Sequence, residues 1–450
     1  MDTVAQLRQA LQSMFSGCCD AAAREVPVIR RKRVFSASSL ARTFILGLFE
    51  NPNADSESLA AMAARCDAPV TKQAVEKRYT TVTARFFECL FQKCTCLVVQ
   101  SQDSLAPILE RFTEVILADS SSINLPDSQA QRYKGRGGSH GFGKSGLKLQ
   151  TELDLRSGRL ETVEVTSGSD ADVAWDGQFK VRPKGTLRIT DLGYFSAAAF
   201  LHMTAMGCFF LSRLHRTMRI SIDGVDQGIV IDYLVLQRNT LVDQFIHAGI
   251  RNKLPCRLIA WKVPQKIAER RRRKVRAEYK RRNRGTPPAK ALAACDWTML
   301  VTNLRPDELT VNEAAVLYRA RWQIELLFKR WKSIGQAIVH PNRSDEVELV
   351  RFWARLCGVL LQHWLCVACC YRKQPPLSFA RVAKLAPQIA VQMAASLRDG
   401  HIQLSEPIET IIRQFQSSTA KSARRDTRAK DCLLYTSPSP RDGTKDLVCR

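Results

Sequence analysis

Near residue 112 the hydrophobic period of the chain changes, and that change limits the fold more than any other feature. Upstream, apolar residues recur at helical spacing. Downstream, FTEVILADSSSINL reads as a buried strand that ends in an acidic, polar turn. GLKLQTELDLRSGRLETVEVTSGS then alternates as two strands joined at Ser157–Gly158, an antiparallel hairpin. TLRITDLGYF is a further strand that also ends on an aspartate, and SAAAFLHMTAMGC a helix. MRISIDG, GIVIDYLVL, LPCRLIAWKV and DWTMLVTNL read as more strands, and TVNEAAVLYRARWQIELLFKRWKSI as one long helix. From residue 345 to about 430 the pattern is helical again. Strands alternating with helices between two helical flanks make an α/β protein.

The charge balance narrows the function. The chain of 450 residues carries 68 Lys and Arg against 43 Asp and Glu, a formal net charge of +25. A field of that sign and size selects polyanionic partners, of which double-stranded DNA is the expected one. No uninterrupted apolar run reaches the roughly 18 residues of a membrane span, and MDTVAQLRQALQ lacks the layout of a signal peptide. The expected location is therefore cytoplasmic, with the 15 cysteines reduced. His363, Cys366, Cys369 and Cys370 share helical spacing, but they sit in the apolar run GVLLQHWLCVACC with no second ligand pair, so they read as core.

In the N-terminal region, SESLAAMAARC reads as a helix, DAPV as a turn and TKQAVEKRYTTVTARFF as a second helix. This is the outline of a helix-turn-helix or of a plain helical hairpin. Lys72, Gln73, Lys77 and Arg78 on the second helix are candidates to meet DNA. Arg30 to Arg33 add phosphate-binding charge. KIAERRRRKVRAEYKRRNR, with Arg271, Arg272, Arg273 and Lys274, is expected to lie along DNA phosphates, the alternative being a solvated basic helix. The stretch Gly138 to Ser145 fits the P-loop pattern letter for letter. It follows a polar segment and precedes an alternating one, whereas a P-loop follows a buried strand and opens a helix. No nucleotide is expected there.

The long helix carries the chemistry. Tyr318, Arg321, Glu325 and Lys332 project at about 0°, −60°, −20° and −40°, a stripe roughly 60° wide. Leu317, Ile324, Phe328 and Trp331 form an apolar face beside it. An Arg321–Glu325 pair one helical turn apart could be a simple ion-pair ladder, but a ladder leaves Tyr318 and Lys332 unexplained. Asp119 and Asp191 each stand at the end of an apolar strand, where α/β sheets present functional groups. Two strand aspartates and a helix glutamate suit hard divalent cations. Asp127 and Asp172 are the weaker rivals for the aspartate positions.

The chain at this point resembles the DDE transposases of the insertion-sequence 4 family, which includes the Tn5 transposase. The family signature is Tyr, two residues, Arg, three residues, Glu, six residues, Lys, and Tyr318, Arg321, Glu325 and Lys332 reproduce it without a gap. The resemblance implies an RNase H-like catalytic core with a β-rich insertion between the second Asp and the Glu. It divides the chain into a helical DNA-binding domain over 1–105, a catalytic domain over 106–345 with its insertion at about 216–296, and a helical C-terminal region over 346–430. Asp119, Asp191 and Glu325 would hold two Mg²⁺ ions, with Mn²⁺ as substitute, and Tyr318, Arg321 and Lys332 would grip the transposon end. Trp297 lies as far before Tyr318 as does the Tn5 transposase Trp that stacks on a flipped-out base, so it is a candidate platform or a core residue.

The implied reaction is cut-and-paste transposition through a hairpin intermediate, by a homodimer that joins terminal repeats to target DNA. A domesticated protein that binds DNA without cutting it, and a structure-selective nuclease on the same fold, are the alternatives. The last residues stand apart. CLLYTSPSPRD, Cys432 to Asp442, is the reading-frame translation of a sequencing-library adapter, so residues 431–450 are expected to be an artefactual tail on a truncated chain.

Overall fold

The computed structural model describes residues 2–398 apart from 30, 32, 105, 138–142, 252, 340–342 and 372–377. The adapter-like tail, the stretch 399–430, the centre of the P-loop-like stretch and half of the Arg30–Arg33 run lie outside the described residues. The chain forms two compact units that do not follow chain order. Among the described residues the first contains residues up to 110, residues 120–170 and residues 323–398, so both helical flanks belong to it. The second contains residues 111–119 and 171–322.

In the first unit, α1 (Thr3–Ser13) continues through a π-helical turn (Met14–Cys18) into α2 (Cys19–Glu25). Then come α3 (Ala37–Glu50), α4 (Ser56–Arg65), α5 (Lys72–Glu76), α6 (Thr81–Cys94) and α7 (Pro107–Glu110). The second helix of the expected helix-turn-helix is broken into α5 and α6. Thr80 is extended, and its side chain accepts the Thr83 N–H, so a new helix starts where a continuous one was expected. β1 (Val115–Asn124) passes from the second unit into the first between Asp119 and Ser120.

β2 (Gly146–Asp154) and β3 (Leu160–Ser167) form the expected antiparallel hairpin. Asp154 accepts the N–H groups of Arg156 and Ser157, and Gly158 sits at φ 77°, in the left-handed region its missing Cβ permits. Ser145 leads directly into β2, so the P-loop-like stretch opens a strand.

Within the second unit the strands are ordered β1-β4-β5-β10-β9-β8-β6-β7. They are β4 (Leu187–Thr190), β5 (Phe209–Arg213), β6 (Arg219–Ile222), β7 (Val225–Ile229), β8 (Leu241–Ala248), β9 (Leu254–Lys262) and β10 (Trp297–Thr302). The helices are α8 (Ala197–Ala205), α9 (Val230–Val235), α10 (Gln265–Arg281), α11 (Ala289–Ala293) and α12 (Val311–Ala320). β1, β4 and β5 are parallel, with α8 as the β4–β5 crossover, and the remaining neighbours are antiparallel. One core joins α8, α9 and the strands, with Phe200 stacked on Phe210 at 4.3 Å.

Two readings change here. GIVIDYLVL is mostly helix: β7 ends at Ile229, just after Gly228 at φ 74°, and Val230, Ile231 and Leu234 then bury one helical face. β5 and β8 are strands that the sequence pattern did not single out.

The chain returns to the first unit along α13 (Trp322–Ser333) and continues through α14 (Asp345–Cys370), α15 (Phe379–Leu385) and α16 (Ala390–Arg398). Among the described residues α14 is the one helix long and apolar enough to cross a membrane, and that window is wholly buried inside the protein. It is a core helix. Its buried Arg351 and Arg355 donate to the Pro52 carbonyl, and the His363 ring bonds the Gly158 carbonyl oxygen at 2.8 Å. Cys366, Cys369 and Cys370 are buried on the same helix, as core residues.

Candidate active site

Parallel pairing brings the two aspartates together. The β1–β4 ladder runs from Val115↔Leu187 to Ala118↔Thr190, so Asp119 and Asp191 occupy the next position on neighbouring strands. Strands paired in this way lie about 4.8 Å apart. Asp191 directly follows β4, as expected. Asp119 does not end its strand: β1 continues to Asn124, with Ser121 and Ile123 buried and Ser122 and Asn124 exposed. What ends after Ala118 is the pairing with β4, and that is what leaves both carboxylates side by side.

Two signature residues approach this pair from α12 and its end. The Tyr318 hydroxyl donates to Asp191 Oδ1 at 3.2 Å. Burial, and then the negative charge of Asp191, push the Tyr318 phenol well above its usual range, so it stays a proton donor. Arg321 Nη1 donates to Asp119 Oδ2 at 3.2 Å, and its guanidinium lies 5.9 Å from the Tyr318 ring centre. The helix expected to be continuous here is divided at Arg321. Its N–H bonds the Tyr318 carbonyl three residues back while its φ and ψ of −50° and −30° remain helical.

A further cation enters by register. The parallel β4–β5 ladder ends at Thr190↔Ser212, so exposed Arg213 is the neighbour of Asp191 on the far side from Asp119. Its charge acts on Tyr318. The sequence pattern missed it because only the pairing of β5 shows which residue follows Ser212 into the site.

In the first unit, α13 carries Glu325 and Lys332, with Ile324, Leu327, Phe328 and Trp331 buried on its inner face. Lys332 Nζ donates to the Ser122 carbonyl of β1 at 2.9 Å, and burial lowers its pKa. Among the described residues, no group of three His, Cys, Asp or Glu side chains is gathered closely enough to hold an ion. The described arrangement brings Asp119 and Asp191 together as a pair. Two adjacent carboxylates are hard oxygen donors, and so fit a divalent cation of the Mg²⁺ type. The rival aspartates lie in short 3-10 turns, Asp127 at Asp127–Gln129 and Asp172 at Asp172–Ala174, the latter beside Gly193.

The remaining candidates divide into surface and interior. Trp297 is 3% exposed in the core of the second unit, with Lys262 Nζ 5.3 Å from its ring centre, and so offers no open face to a base. Arg271 donates to the carbonyl of Trp297 and to Thr298 Oγ1, and Arg272 pairs with Asp296. These two arginines anchor α10. Arg273 and Lys274 lie on its exposed face, with Lys266, Arg270, Arg276 and Lys280. Replacing Arg273 and Lys274 with Ala is expected to reduce the log–log salt slope of DNA binding by about 0.9 per lost phosphate contact. Arg271→Ala is expected to lower the melting temperature and leave the slope unchanged. In the N-terminal helices Lys72, Gln73 and Lys77 are exposed, while Arg78 packs its guanidinium 5.2 Å from the Phe35 ring centre.

A family described as the transposase DDE domain matches residues 110–360. The chain is 25% identical over 399 residues to the transposase for insertion sequence element IS231F of Bacillus thuringiensis subsp. israelensis, covering 82% of this chain and 81% of that one. It is 27% identical over 370 residues to the transposase for insertion sequence element IS1151 of Clostridium perfringens, covering 75% of each. It is 38% identical over 222 residues to the putative transposase InsL for insertion sequence element IS186A of Escherichia coli K12, covering 47% of this chain and 58% of that one. Among solved structures, a piggyBac transposase synaptic complex with hairpin DNA aligns with 99% of this chain and 87% of that one, at a TM-score of 0.44 and 9% identity. A likeness of that size carries no argument about the fold.

Proposed function

We propose a cut-and-paste reaction for this chain, which belongs to the transposase DDE domain family and is a transposase. The observation that carries the reading is the register that sets Asp119 beside Asp191, each held by a signature residue. In this reading residues 106–345 form an RNase H-like core of the insertion-sequence 4 type, with its β-rich insertion at about 216–296. Asp119, Asp191 and Glu325 would hold the divalent cations that DDE domains use, Mg²⁺ or Mn²⁺ in a pair. When bound, such ions supply activation of the attacking oxygen and neutralise charge on the leaving one.

The chain's own residues do the rest. Tyr318 and Arg321 fix the orientation of the two aspartates, because each donates to one carboxylate. Arg321 can exchange Asp119 for a DNA phosphate, which its planar fork of donors matches. Arg213 and Lys332 add positive charge where the cut strand would lie, and the outer face of α10 follows the flanking duplex. Water cuts at the transposon end, the freed 3′-OH closes a hairpin, a second hydrolysis opens it, and the 3′-OH joins target DNA. The protein works as a homodimer on paired ends, in the cytoplasm at the nucleoid.

The test is to incubate the protein with its element's ends and Mg²⁺ and resolve the products on a denaturing gel. Hairpinned ends are expected. Nicked ends without hairpins would instead identify a nuclease on the same fold, and binding without cleavage a domesticated DNA-binding protein.

A further inference from the structure

β9 carries an arginine in its buried apolar stretch, and that arginine is turned inward. Arg257 is 1% exposed, among the largest side chains wholly buried in the protein. It stands opposite Phe245 of β8, which puts Asp243 two residues along the same face and within diagonal reach. Arg257 Nε donates to Asp243 Oδ1 at 2.6 Å and Nη2 donates to Asp243 Oδ2 at 2.7 Å, a two-pronged pair. The remaining prong, Nη1, donates to the Leu309 carbonyl oxygen at 2.6 Å.

That carbonyl lies at the entrance to α12. β10 ends at Thr302, the register partner of Arg257 on its other side. The chain then leaves the sheet, burying Leu304 and Leu309 before α12 begins. Thr310 caps the helix, and Glu313 completes the capping box while pairing with Arg111, which lies just before β1. The start of α12 is therefore tied on one side to the strand that carries Asp119 and on the other, through Arg257, to β8 and β9. Tyr318, about two helical turns beyond Thr310, donates to Asp191.

We propose that Arg257, oriented by Asp243, is a positioning residue for DNA cleavage: it fixes where α12 starts, and so where Tyr318 and Arg321 meet the two aspartates. The proposal rests on the cut-and-paste reading. Burying a guanidinium is costly, and an apolar pair of similar volume would join β8 to β9 as well or better. What an apolar pair lacks is a donor for the Leu309 carbonyl. Strand pairing alone leaves the exit angle of the chain after Thr302 open, and the third prong of the guanidinium closes it. The inserted strands thereby act on the reaction from inside the protein, apart from any contact they make with DNA. Misplacement by about 1 Å at a site of this kind can cost on the order of 10²-fold in rate.

The full chain and the double variant Asp243→Asn with Arg257→Met are compared in four measurements. These are melting temperature, Kd for duplex DNA carrying the element's ends, single-turnover cleavage rate at saturating DNA and Mg²⁺, and amide hydrogen exchange across α12. Removing both charges leaves none unpaired in the core, so the variant should melt close to the parent. Its Kd should stay within about twofold, because phosphate contacts dominate binding and are untouched. Cleavage should fall about tenfold or more, and the α12 amides should exchange faster. Arg257→Lys keeps a charge beside Asp243 but lacks the fork that reaches both acceptors. It should show the same split between binding and cleavage, and it decides the matter if the double variant fails to fold. Cleavage as fast as the parent's, a loss matched by an equal loss of end binding, or unchanged exchange across α12 overturns the proposal. A parent that binds these ends without cutting them refutes the reaction and the proposal together, whereas a cutting parent with an equally fast variant refutes the proposal alone.

Discussion

Asp119→Ala is expected to abolish cleavage and strand transfer while the protein still binds its DNA ends. The reason is local. Asp119 is the partner of Asp191 across a parallel ladder, and removing it halves the pair of carboxylates that the structure sets together. The fold should tolerate the change, because Asp119 stands where the β1–β4 pairing stops, just after the fully buried run Val115–Ala118. The expected loss is at least roughly 10²–10³-fold in cleavage rate, the scale on which a single transition-state stabilising group acts. Binding should change little, since the phosphate-directed charge lies on other residues. The variant also removes one partner of Arg321, so end binding is expected to hold or to rise slightly. Cleavage retained within a few fold of the parent would remove Asp119 from the catalytic set.

Trp297→Ala carries the second large effect, and it falls on stability. Trp297 opens β10, pairs in register with Lys262, and packs into the core with Met299, Val301, Leu258 and Phe200. Truncating a buried tryptophan costs about 3–5 kcal/mol. For a unit of this size that corresponds to a fall in melting temperature on the order of 10 °C. Thermal denaturation and the hairpin assay on the same preparation separate the two roles open to Trp297. A variant that melts with the parent but yields nicks without hairpins would make Trp297 a base platform and refute the core assignment.

How far the sequence could be read depended on whether a feature is local or arises by pairing. The apolar face beside Glu325 was legible because helical spacing places Ile324, Phe328 and Trp331 on one buried side. The β2–β3 hairpin was legible from alternation and a glycine turn. GIVIDYLVL was misread because a short apolar run has no period that separates a helix from a strand. TKQAVEKRYTTVTARFF hid a cap at Thr80, since a threonine inside a helical pattern gives little sign that it starts a new helix. Asp119 was chosen for a strand end that is not there. It matters because of where β4 stops, a fact held in residues far along the chain. Arg213 was missed for the same reason. Chain order gave no sign that the two helical flanks belong to one unit, because α14 becomes a fully buried helix only when α3 and α6 pack against it.

In the proposed reaction Asp119, Asp191 and Glu325 would act as one cation site. Iron-directed cleavage of the protein backbone tests it most directly. Fe²⁺ replaces Mg²⁺ on the DNA-bound protein, ascorbate and peroxide generate hydroxyl radicals at the bound ion, and the cut positions are mapped. Scission is expected to cluster around residues 119, 191 and 325 and to be suppressed by excess Mg²⁺. Scission around 127 or 172 in place of 119 or 191, or cuts at both aspartates with none near 325, would contradict it.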